Sequence, residues 1–331
     1  MRYCIFIFLI FYPLSSYSKN PHAVVFMYHR FDQNKYPETS ISSETFEKHI
    51  LFLRDNKVDI LPLTDLVLFL KNKKQLTKKS AFITIDDAYK SFYKKGYPIL
   101  KKYNLPFSIF VSTDFVSNKK TSDYMSWDML REVSKNNGLV LNHTSSHKSL
   151  INLSFNSLKR EVQEAQQIIE KEIGLQPMIL SFPYGESDVE SEKMIKKLGY
   201  NIAFSQHSSL VHRGELKFRL PRFSLNDEYG GMKRFKTIIK AKPLVIFNES
   251  FKDTLVNSDN LIFDFDTNVN SELINCFVNN EAFIKEISDK KKNLMLHINN
   301  LKEGQRYRIN CTYVDQEEEI FWYGKMIKRI N

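Results

Sequence analysis

An apolar run that ends in two adjacent carboxylates constrains the fold of this chain more than any other stretch. Residues 81–87 read Ala-Phe-Ile-Thr-Ile-Asp-Asp. Such a run, without polar alternation, is typical of a strand that is buried on both faces, as in a parallel sheet. Because adjacent strand residues point to opposite faces, Asp86 and Asp87 can serve one site only where the strand gives way to a loop. The pattern therefore predicts a site at the carboxyl end of a buried strand.

A second polar cluster, His143-Thr-Ser-Ser-His147, follows the short predicted strand 139–142. One aspartate and two histidines with an open position for water are a metal site of the catalytic zinc type. One aspartate would be an anionic ligand, and the other would stay free as a base for the activated water. The alternative is that Asp86 and Asp87 cap the next helix, which leaves both histidines unexplained. Zinc is the favoured ion, although cobalt, nickel and iron also suit this ligand set.

Strands and helices alternate from residue 23 to about residue 240, in at least six strand–helix units. This alternation predicts a parallel α/β fold. Since the chain has no glycine-rich phosphate loop, a closed or nearly closed barrel is favoured over an open nucleotide-binding sheet. After residue 243, short alternating strands between polar turns predict a small antiparallel β-sandwich. The predicted parts are a signal peptide at residues 1–18, the barrel domain at 19–242 and the sandwich as an accessory domain at 243–331.

The first 18 residues have the pattern of a signal peptide. A short basic start precedes the apolar run Ile5–Leu14, which is too short to span a bilayer. We expect cleavage after Ser18 and export to the periplasm, the cell envelope or the medium; the alternative is an uncleaved N-terminal anchor. In an exported protein, Cys276 and Cys311 would form a disulfide that ties the two sheets of the sandwich, or they would stay as two buried thiols.

The formal net charge of +10 raises the question of an anionic partner. Basic runs at residues 71–74, 78–79 and 290–292 would steer the chain towards an anionic membrane surface or envelope polymers, or they would be ordinary solvated faces. Export argues against nucleic acid as the partner.

The two polar clusters resemble the motifs of the polysaccharide deacetylases, the NodB-homology group of carbohydrate esterase family 4. Thr84-Ile-Asp-Asp87 is similar to the Thr-Phe-Asp-Asp motif of the family, and His143-Thr-Ser-Ser-His147 matches its His-Ser/Thr-x-x-His motif. The resemblance covers about residues 23–240. It implies a distorted (β/α) barrel that removes N-acetyl groups from sugars. It also implies that Asp86 is the catalytic base and that Asp87, His143 and His147 are the metal ligands.

Three further stretches resemble the exported poly-N-acetylglucosamine deacetylases within this family. They read Tyr28-His-Arg, Ser126-Trp-Asp-Met-Leu and Ser181-Phe-Pro-Tyr-Gly185. The resemblance implies an amino-sugar polysaccharide as substrate, and it makes the Tyr184 amide the candidate that holds the acetate and the oxyanion. Trp127 would wall the sugar pocket, or it would be a core residue at a helix start. His29 stands at a predicted strand end, where α/β barrels place working groups, or it is a hydrogen-bonded rim residue.

Two departures from the family pattern leave several functions open. Ser181-Phe182 stands where many relatives carry an arginine that orients the base, so Arg222 becomes the candidate partner of Asp86, and we also place it among the candidate substrate contacts. The family's late Leu-x-His motif, which supplies the general acid, is not evident; His207 is the first candidate and His29 the second. The three functions are an N-deacetylase of a poly-N-acetylglucosamine-like polymer of the envelope or matrix, a deacetylase of peptidoglycan, chitin-like oligomers or a glycolipid, and a carbohydrate-binding protein on a degenerate deacetylase barrel.

Overall fold

A computed structural model describes residues 21–77, 79–118, 123–279, 284–287 and 292–331. The predicted signal peptide lies outside these ranges. The helices are α1 (Ser43–Asp55), α2 (Leu63–Leu70), α3 (Tyr97–Lys102), α4 (Thr113–Ser117), α5 (Trp127–Ser134), α6 (Phe155–Ile173), α7 (Val189–Lys197) and α8 (Met232–Lys240). A π-helical turn, Phe92–Gly96, leads into α3, and short 3-10 turns span Pro183–Gly185 and Ser271–Leu273. Among the helices in the described ranges, none is both long and apolar enough to cross a membrane.

The strands of the first two thirds of the chain form one curled sheet. They are β1 (His22–Tyr28), β4 (Asp59–Ile60), β5 (Ser80–Asp86), β6 (Phe107–Val111), β7 (Gly138–Asn142), β8 (Ile179–Ser181), β9 (Ile202–Phe204), β10 (Val211–His212) and β11 (Phe223–Ser224); the short pair β2 (Arg30–Phe31) and β3 (Ser40–Ile41) stands apart. The hydrogen-bonded order is β10-β1-β5-β6-β7-β8-β9, with β4 beside β5 and β11 beside β1.

The sheet is parallel throughout except for the β1–β10 pair, and it curls back towards its first strand. After β9, Leu220 bridges Phe204 in parallel, and β11 then pairs with β1 through Phe223 and Phe26. The segment Leu220–Ser224 therefore runs from the last parallel strand to the first. This arrangement confirms the predicted parallel α/β fold in the form of a distorted barrel.

Both faces of the curled sheet are buried, which explains the unbroken apolar run in β5. Phe26 and Tyr28 of β1 enter a core that also contains side chains of α1, α5 and α8. Their neighbours Ala23 and Val25 enter a second core, to which α2 contributes. Because alternate residues of one strand face two apolar layers, no position inside the strand favours a polar side chain.

The last third of the chain forms two further sheets that share one core. Their strands are β12 (Lys242–Pro243), β13 (Ile246–Phe247), β14 (Leu255–Val256), β15 (Leu261–Thr267), β16 (Asn275–Val278), β17 (Ile284–Ile287), β18 (Asn293–Ile298), β19 (Arg306–Val314) and β20 (Ile320–Arg329). One sheet has the order β12-β20-β19-β16 with β14 beside β20, and the other has the order β13-β15-β18-β17. Phe263 and Phe265 of one sheet and Ile309 of the other lie in the shared core. The separate sandwich domain and its boundary at residue 243 stay predictions.

The two cysteines of the C-terminal third form a disulfide, Cys276–Cys311. They are directly opposite each other on the adjacent antiparallel strands β16 and β19. The expectation of a disulfide is confirmed, but the expectation that it ties two sheets together is wrong. The physical reason is the strand register, which brings both cysteines to one pair position within a single sheet.

Candidate active site

The two carboxylates lie where β5 ends and the chain turns sharply. Asp86 is the last residue of β5, while Asp87 and Ala88 have φ values of 68° and 54°. Residues other than glycine rarely adopt such left-handed geometry, and it is found mostly at constrained sites. The turn brings both side chains to the same place: the His143 Nε2 atom lies 3.5 Å from Asp87 Oδ1 and 4.0 Å from Asp86 Oδ2. Among the described residues, no backbone N–H of a helix donates to either carboxylate, so the capping alternative loses its basis.

The two histidines come from the loop that follows β7. His143 Nδ1 lies 2.7 Å from the Ser181 carbonyl oxygen. Because a carbonyl only accepts, Nδ1 carries the proton and Nε2 presents a lone pair towards Asp87. Thr144 and His147 both have left-handed backbones, and the His147 N–H donates to Thr144 Oγ1 over 3.1 Å. This turn carries the His147 ring back over His143, with ring centroids 4.8 Å apart.

Asp87, His143 and His147 fit a divalent metal ion. One potential ligand atom of each residue lies within 4.8 Å of the others. The Asp87 Oδ1 atom is 3.5 Å from His143 Nε2 and 3.2 Å from His147 Nε2. A tetrahedral zinc site with bonds of about 2.0–2.2 Å places its ligand atoms roughly 3.4 Å apart. The same oxygen is buried and has no well-aligned hydrogen-bond donor among the described residues, so the three groups point at a shared position rather than at one another.

Asp86 is held by a fully buried arginine. Arg222 donates from Nη1 to Asp86 Oδ1 over 2.7 Å and from Nη2 to Asp86 Oδ2 over 2.8 Å, and both side chains are 0% exposed. The same guanidinium donates to Thr84 Oγ1, Ser181 Oγ and the Ser205 carbonyl. The expectation that Arg222 contacts substrate is therefore wrong in this structure, because a side chain with no exposed surface cannot do so. Its position matches the other expectation, a partner for Asp86.

Both carboxylates are ionised despite their burial. Burial alone raises the pKa of Asp86, but the charges of Arg222 and His143 and the arginine hydrogen bonds outweigh it, and the pKa lies below its ordinary value. Burial also raises the pKa of Asp87, yet the close approach of His143 and His147 holds that pKa well below its usual range. Burial lowers the pKa of His143, but the two carboxylates raise it overall. The cluster is thus a site of fixed negative charge that favours a cation.

Of the two candidate acids, only the second lies beside this cluster. His29 follows β1, and burial lowers its pKa while the charges of the two carboxylates oppose that shift. His207 is buried, and burial together with the charges of Arg219 and Lys325 lowers its pKa to about 3. No described contact or charge interaction links the His207 side chain to the carboxylates or to the histidine pair. The choice of His207 as first candidate is thus not supported by its position, because the charges that act on its ring are those of Arg219 and Lys325.

Tyr184 lies at the cluster, whereas Trp127 has the contacts of a packing residue. Tyr184 has a left-handed backbone with φ 60°, and its ring centroid is 4.7 Å from that of His147. Trp127 is the first residue of α5, is half-buried and packs against the barrel core. Its Nε1 donates to Ser117 Oγ over 3.2 Å. These contacts favour the core interpretation of Trp127 over the sugar-pocket interpretation.

Sequence reasoning missed the roles of three residues near the cluster. Ser181 accepts from His143 through its carbonyl and from Arg222 through its hydroxyl, and the one signal was its place in the motif where relatives have arginine. Glu186 and Arg306 also approach the turn at Tyr184. Arg306 is more than 100 positions away on β19, and no local pattern connects it to the site.

The fold and the cluster together define a class of protein: an α/β barrel with a candidate metal centre of one aspartate and two histidines beside a buried base. Residues 73–203 match the family model described as "Polysaccharide deacetylase". The poly-beta-1,6-N-acetyl-D-glucosamine N-deacetylase of Staphylococcus aureus is 27% identical over 216 residues, which are 61% of this chain and 73% of that protein. The matched part of the chain is a polysaccharide deacetylase domain.

Solved structures of related proteins share the fold. The Streptococcus pyogenes deacetylase PplD, solved in complex with acetate, aligns with a TM-score of 0.62 at 18% identity and covers 66% of this chain and 99% of its own. IcaB from Ammonifex degensii aligns with a TM-score of 0.60 at 21% identity and covers 67% of this chain and 98% of its own. These likenesses concern the fold, and they fit a distorted barrel.

Proposed function

We propose that this chain is an exported N-deacetylase that uses a divalent metal ion to remove acetyl groups from an amino-sugar polysaccharide of the poly-N-acetylglucosamine type. The observation that carries the proposal is the convergence of Asp87, His143 and His147 beside the buried Asp86. The relationship to an enzyme whose name states that substrate supports the choice of polymer.

The metal site of the proposal consists of Asp87, His143 and His147. Two imidazole nitrogens and one carboxylate oxygen suit zinc, and cobalt, nickel or iron would also bind. When bound, the ion would lower the pKa of water and polarise the acetamide carbonyl. The hydrogen bond from His143 Nδ1 to the Ser181 carbonyl keeps the other ring nitrogen directed at this position.

The remaining residues of the cluster divide the proton transfers between them. Asp86 takes the proton of the attacking water, and Arg222 keeps both carboxylate oxygens in a fixed orientation. The Tyr184 amide donates to the oxygen that gains negative charge on the acetamide. His29, which lies beside the carboxylates, protonates the departing amine. Asp86 then holds the proton taken from water and His29 has given one up, so proton exchange with solvent returns both groups to their starting states before the next turnover.

The ends of the chain have separate parts in the proposal. Residues 1–18 would direct export and be removed after Ser18, and the mass of the exported protein measures this directly. Residues 243–331 would be an accessory domain that braces the barrel. The net charge of +10 would favour association with anionic envelope polymers or lipid headgroups.

The Asp86–Arg222 pair argues against the alternative of a carbohydrate-binding protein on a degenerate barrel. That alternative was motivated by the missing arginine at Ser181-Phe182 and by the unclear general acid. Arg222 lies on the segment that runs from the last parallel strand to the first. From there it makes two hydrogen bonds to Asp86. A binding protein has no need of a base that is oriented in this way.

The decisive experiment measures acetate release by the full chain from β-1,6-linked N-acetylglucosamine oligomers, β-1,4-linked oligomers and peptidoglycan, together with metal content. We expect release from the β-1,6-linked oligomer. Asp86→Asn should lower the rate by at least about a hundredfold, since general base catalysis contributes roughly 10²–10⁴, and should keep the metal. Asp55→Asn, which changes an exposed carboxylate on α1, is the matched control.

The outcomes separate the proposals from one another. Preference for peptidoglycan or the β-1,4-linked oligomer would change the assigned substrate and leave the proposed reaction unchanged. Binding of the oligomers without acetate release, in a protein that carries its metal, would establish the carbohydrate-binding alternative. His147→Ala should lose the metal, and retention of one metal ion per chain in that variant would contradict the ligand set.

A further inference from the structure

An arginine of the C-terminal sheets reaches the turn that carries Tyr184. Arg306, the first residue of β19, donates from Nη1 to the Tyr184 carbonyl oxygen over 3.1 Å. Its guanidinium carbon lies 5.5 Å from the centroid of the Tyr184 ring. On its other side, Tyr184 lies next to the candidate metal cluster, because its ring centroid is 4.7 Å from that of His147. Tyr184 therefore lies between a candidate metal ligand and an arginine from the last third of the chain.

The turn at Tyr184 needs such support because it is strained. Tyr184 and Gly185 have consecutive left-handed φ values of 60° and 69°. Glycine tolerates this geometry, but a tyrosine does not adopt it without support from its surroundings. The barrel holds the glycine half of the turn, where Ser205 Oγ donates to the Gly185 carbonyl over 2.6 Å. Arg306 holds the tyrosine half.

A buried carboxylate connects the same arginine to the histidine loop. Glu186 is 6% exposed, and its Oε1 atom is 3.7 Å from Arg306 Nε. Its Oε2 atom accepts from Lys328 of β20 over 2.8 Å and from Ser149 over 2.5 Å. Ser149 is two residues after the metal ligand His147. The C-terminal sheets thus supply two cations that neutralise a carboxylate at the base of the active-site turn.

We propose that Arg306 is a positioning residue for deacetylation: it holds the carbonyl of the Tyr184–Gly185 peptide and thereby fixes the Tyr184 backbone so that the N–H of Tyr184 points at the oxyanion. The inference rests on the proposed function and deepens it. It gives the C-terminal sheets a part in the chemistry, in addition to any part in bracing the barrel. Lys328 shares Glu186 with Arg306 but has no described contact with Tyr184, so the two cations have separable effects.

The test compares four variants of the full chain, the fourth being Lys328→Met. Arg306→Met removes the hydrogen bond to Tyr184, and Arg306→Lys keeps a charge that can make one such bond. Arg308→Met removes a positive charge from the same face of β19, two residues away, and is the matched control. We expect kcat of Arg306→Met to fall about 10- to 100-fold, because a small displacement of a positioned group is that costly. KM, metal content and Tm should change little, and Arg306→Lys should recover part of the rate.

A second readout does not depend on activity. Hydrogen exchange of the peptide that contains Tyr184 and Gly185 should become faster in Arg306→Met and stay unchanged in Arg308→Met. Unchanged kcat in Arg306→Met, or unchanged exchange at the turn, would overturn the inference. So would a parallel loss of kcat and Tm in Arg306→Met and Lys328→Met, since this would show that both residues only dock the sheets. A wild-type chain that releases no acetate refutes the proposed function, and the exchange result still decides whether Arg306 holds the turn.

Discussion

Replacement of Arg222 by methionine should lower the free energy of unfolding by about 3–5 kcal/mol, which is the usual cost of removing one partner of a buried ion pair. The value belongs at the high end because Asp86 and Arg222 are both 0% exposed and the guanidinium also binds Thr84, Ser181 and Ser205. Methionine fills part of the space but leaves a buried carboxylate without its cation. Urea unfolding of the metal-free protein measures the loss, since a bound ion would add its own stabilisation.

The loss of unfolding free energy in Arg222→Met should become smaller as the pH falls. In the wild type the pKa of Asp86 is lowered, so the group stabilises the fold above its unfolded pKa, and this contribution is lost as the pH falls through the folded value. In the variant, burial acts without Arg222 and raises the pKa of Asp86. Protonation then relieves the buried charge, so the difference in unfolding free energy should narrow as the pH falls from 7 towards about 4.

The double variant Asp86→Asn/Arg222→Met decides whether the pair is the cause. It leaves no unpaired buried charge, so its loss of stability should be smaller than the sum of the two single losses. A cost below about 1 kcal/mol for Arg222→Met, which is the range of an exposed ion pair, would refute the reasoning, and so would strictly additive losses. Either result would mean that Asp86 reaches water or another cation in solution.

Three further predictions concern other parts of the chain. Cys276→Ser/Cys311→Ser should lose about 2–4 kcal/mol of unfolding free energy, and reduction of the wild type should match this loss if the disulfide is responsible. Gly185→Ala should lower both Tm and acetate release, because its Cβ would lie 2.4 Å from a backbone nitrogen at a φ of +69°; wild-type behaviour would show that the turn adapts. His29→Ala should lower acetate release about 10²-fold or more and His207→Ala should not, and the reverse result would restore His207 as the acid.

The candidate metal site was predictable because its signals are local. A buried parallel strand must end in a loop at the carboxyl edge of its sheet, and the polar residues at two such ends meet there. This is why the sequence groups one aspartate of the pair with His143 and His147, while the choice of Asp87 rests on the resemblance to the deacetylase family. The left-handed φ of Asp87 is the structural detail that lets both carboxylates face one position.

The partner of Asp86, the choice between His29 and His207, and the approach of Arg306 were not decided by any local pattern. The curl of the sheet brings Leu220–Ser224 from the last parallel strand to the first, and this closure carries Arg222 to Asp86. The pairing of β16 with β19 likewise places the disulfide within one sheet.

The sequence by itself determined the alternation of strands and helices, the change to short alternating strands after residue 243, and the residue types that form the cluster. Each of these features depends on neighbours within a few positions. Only the tertiary structure decided which distant charges pair, because burial makes a charge depend on whichever group the closed fold brings within hydrogen-bonding distance. Arg222 lies 136 positions from Asp86, and the periodicity of a strand or helix carries no information over that separation.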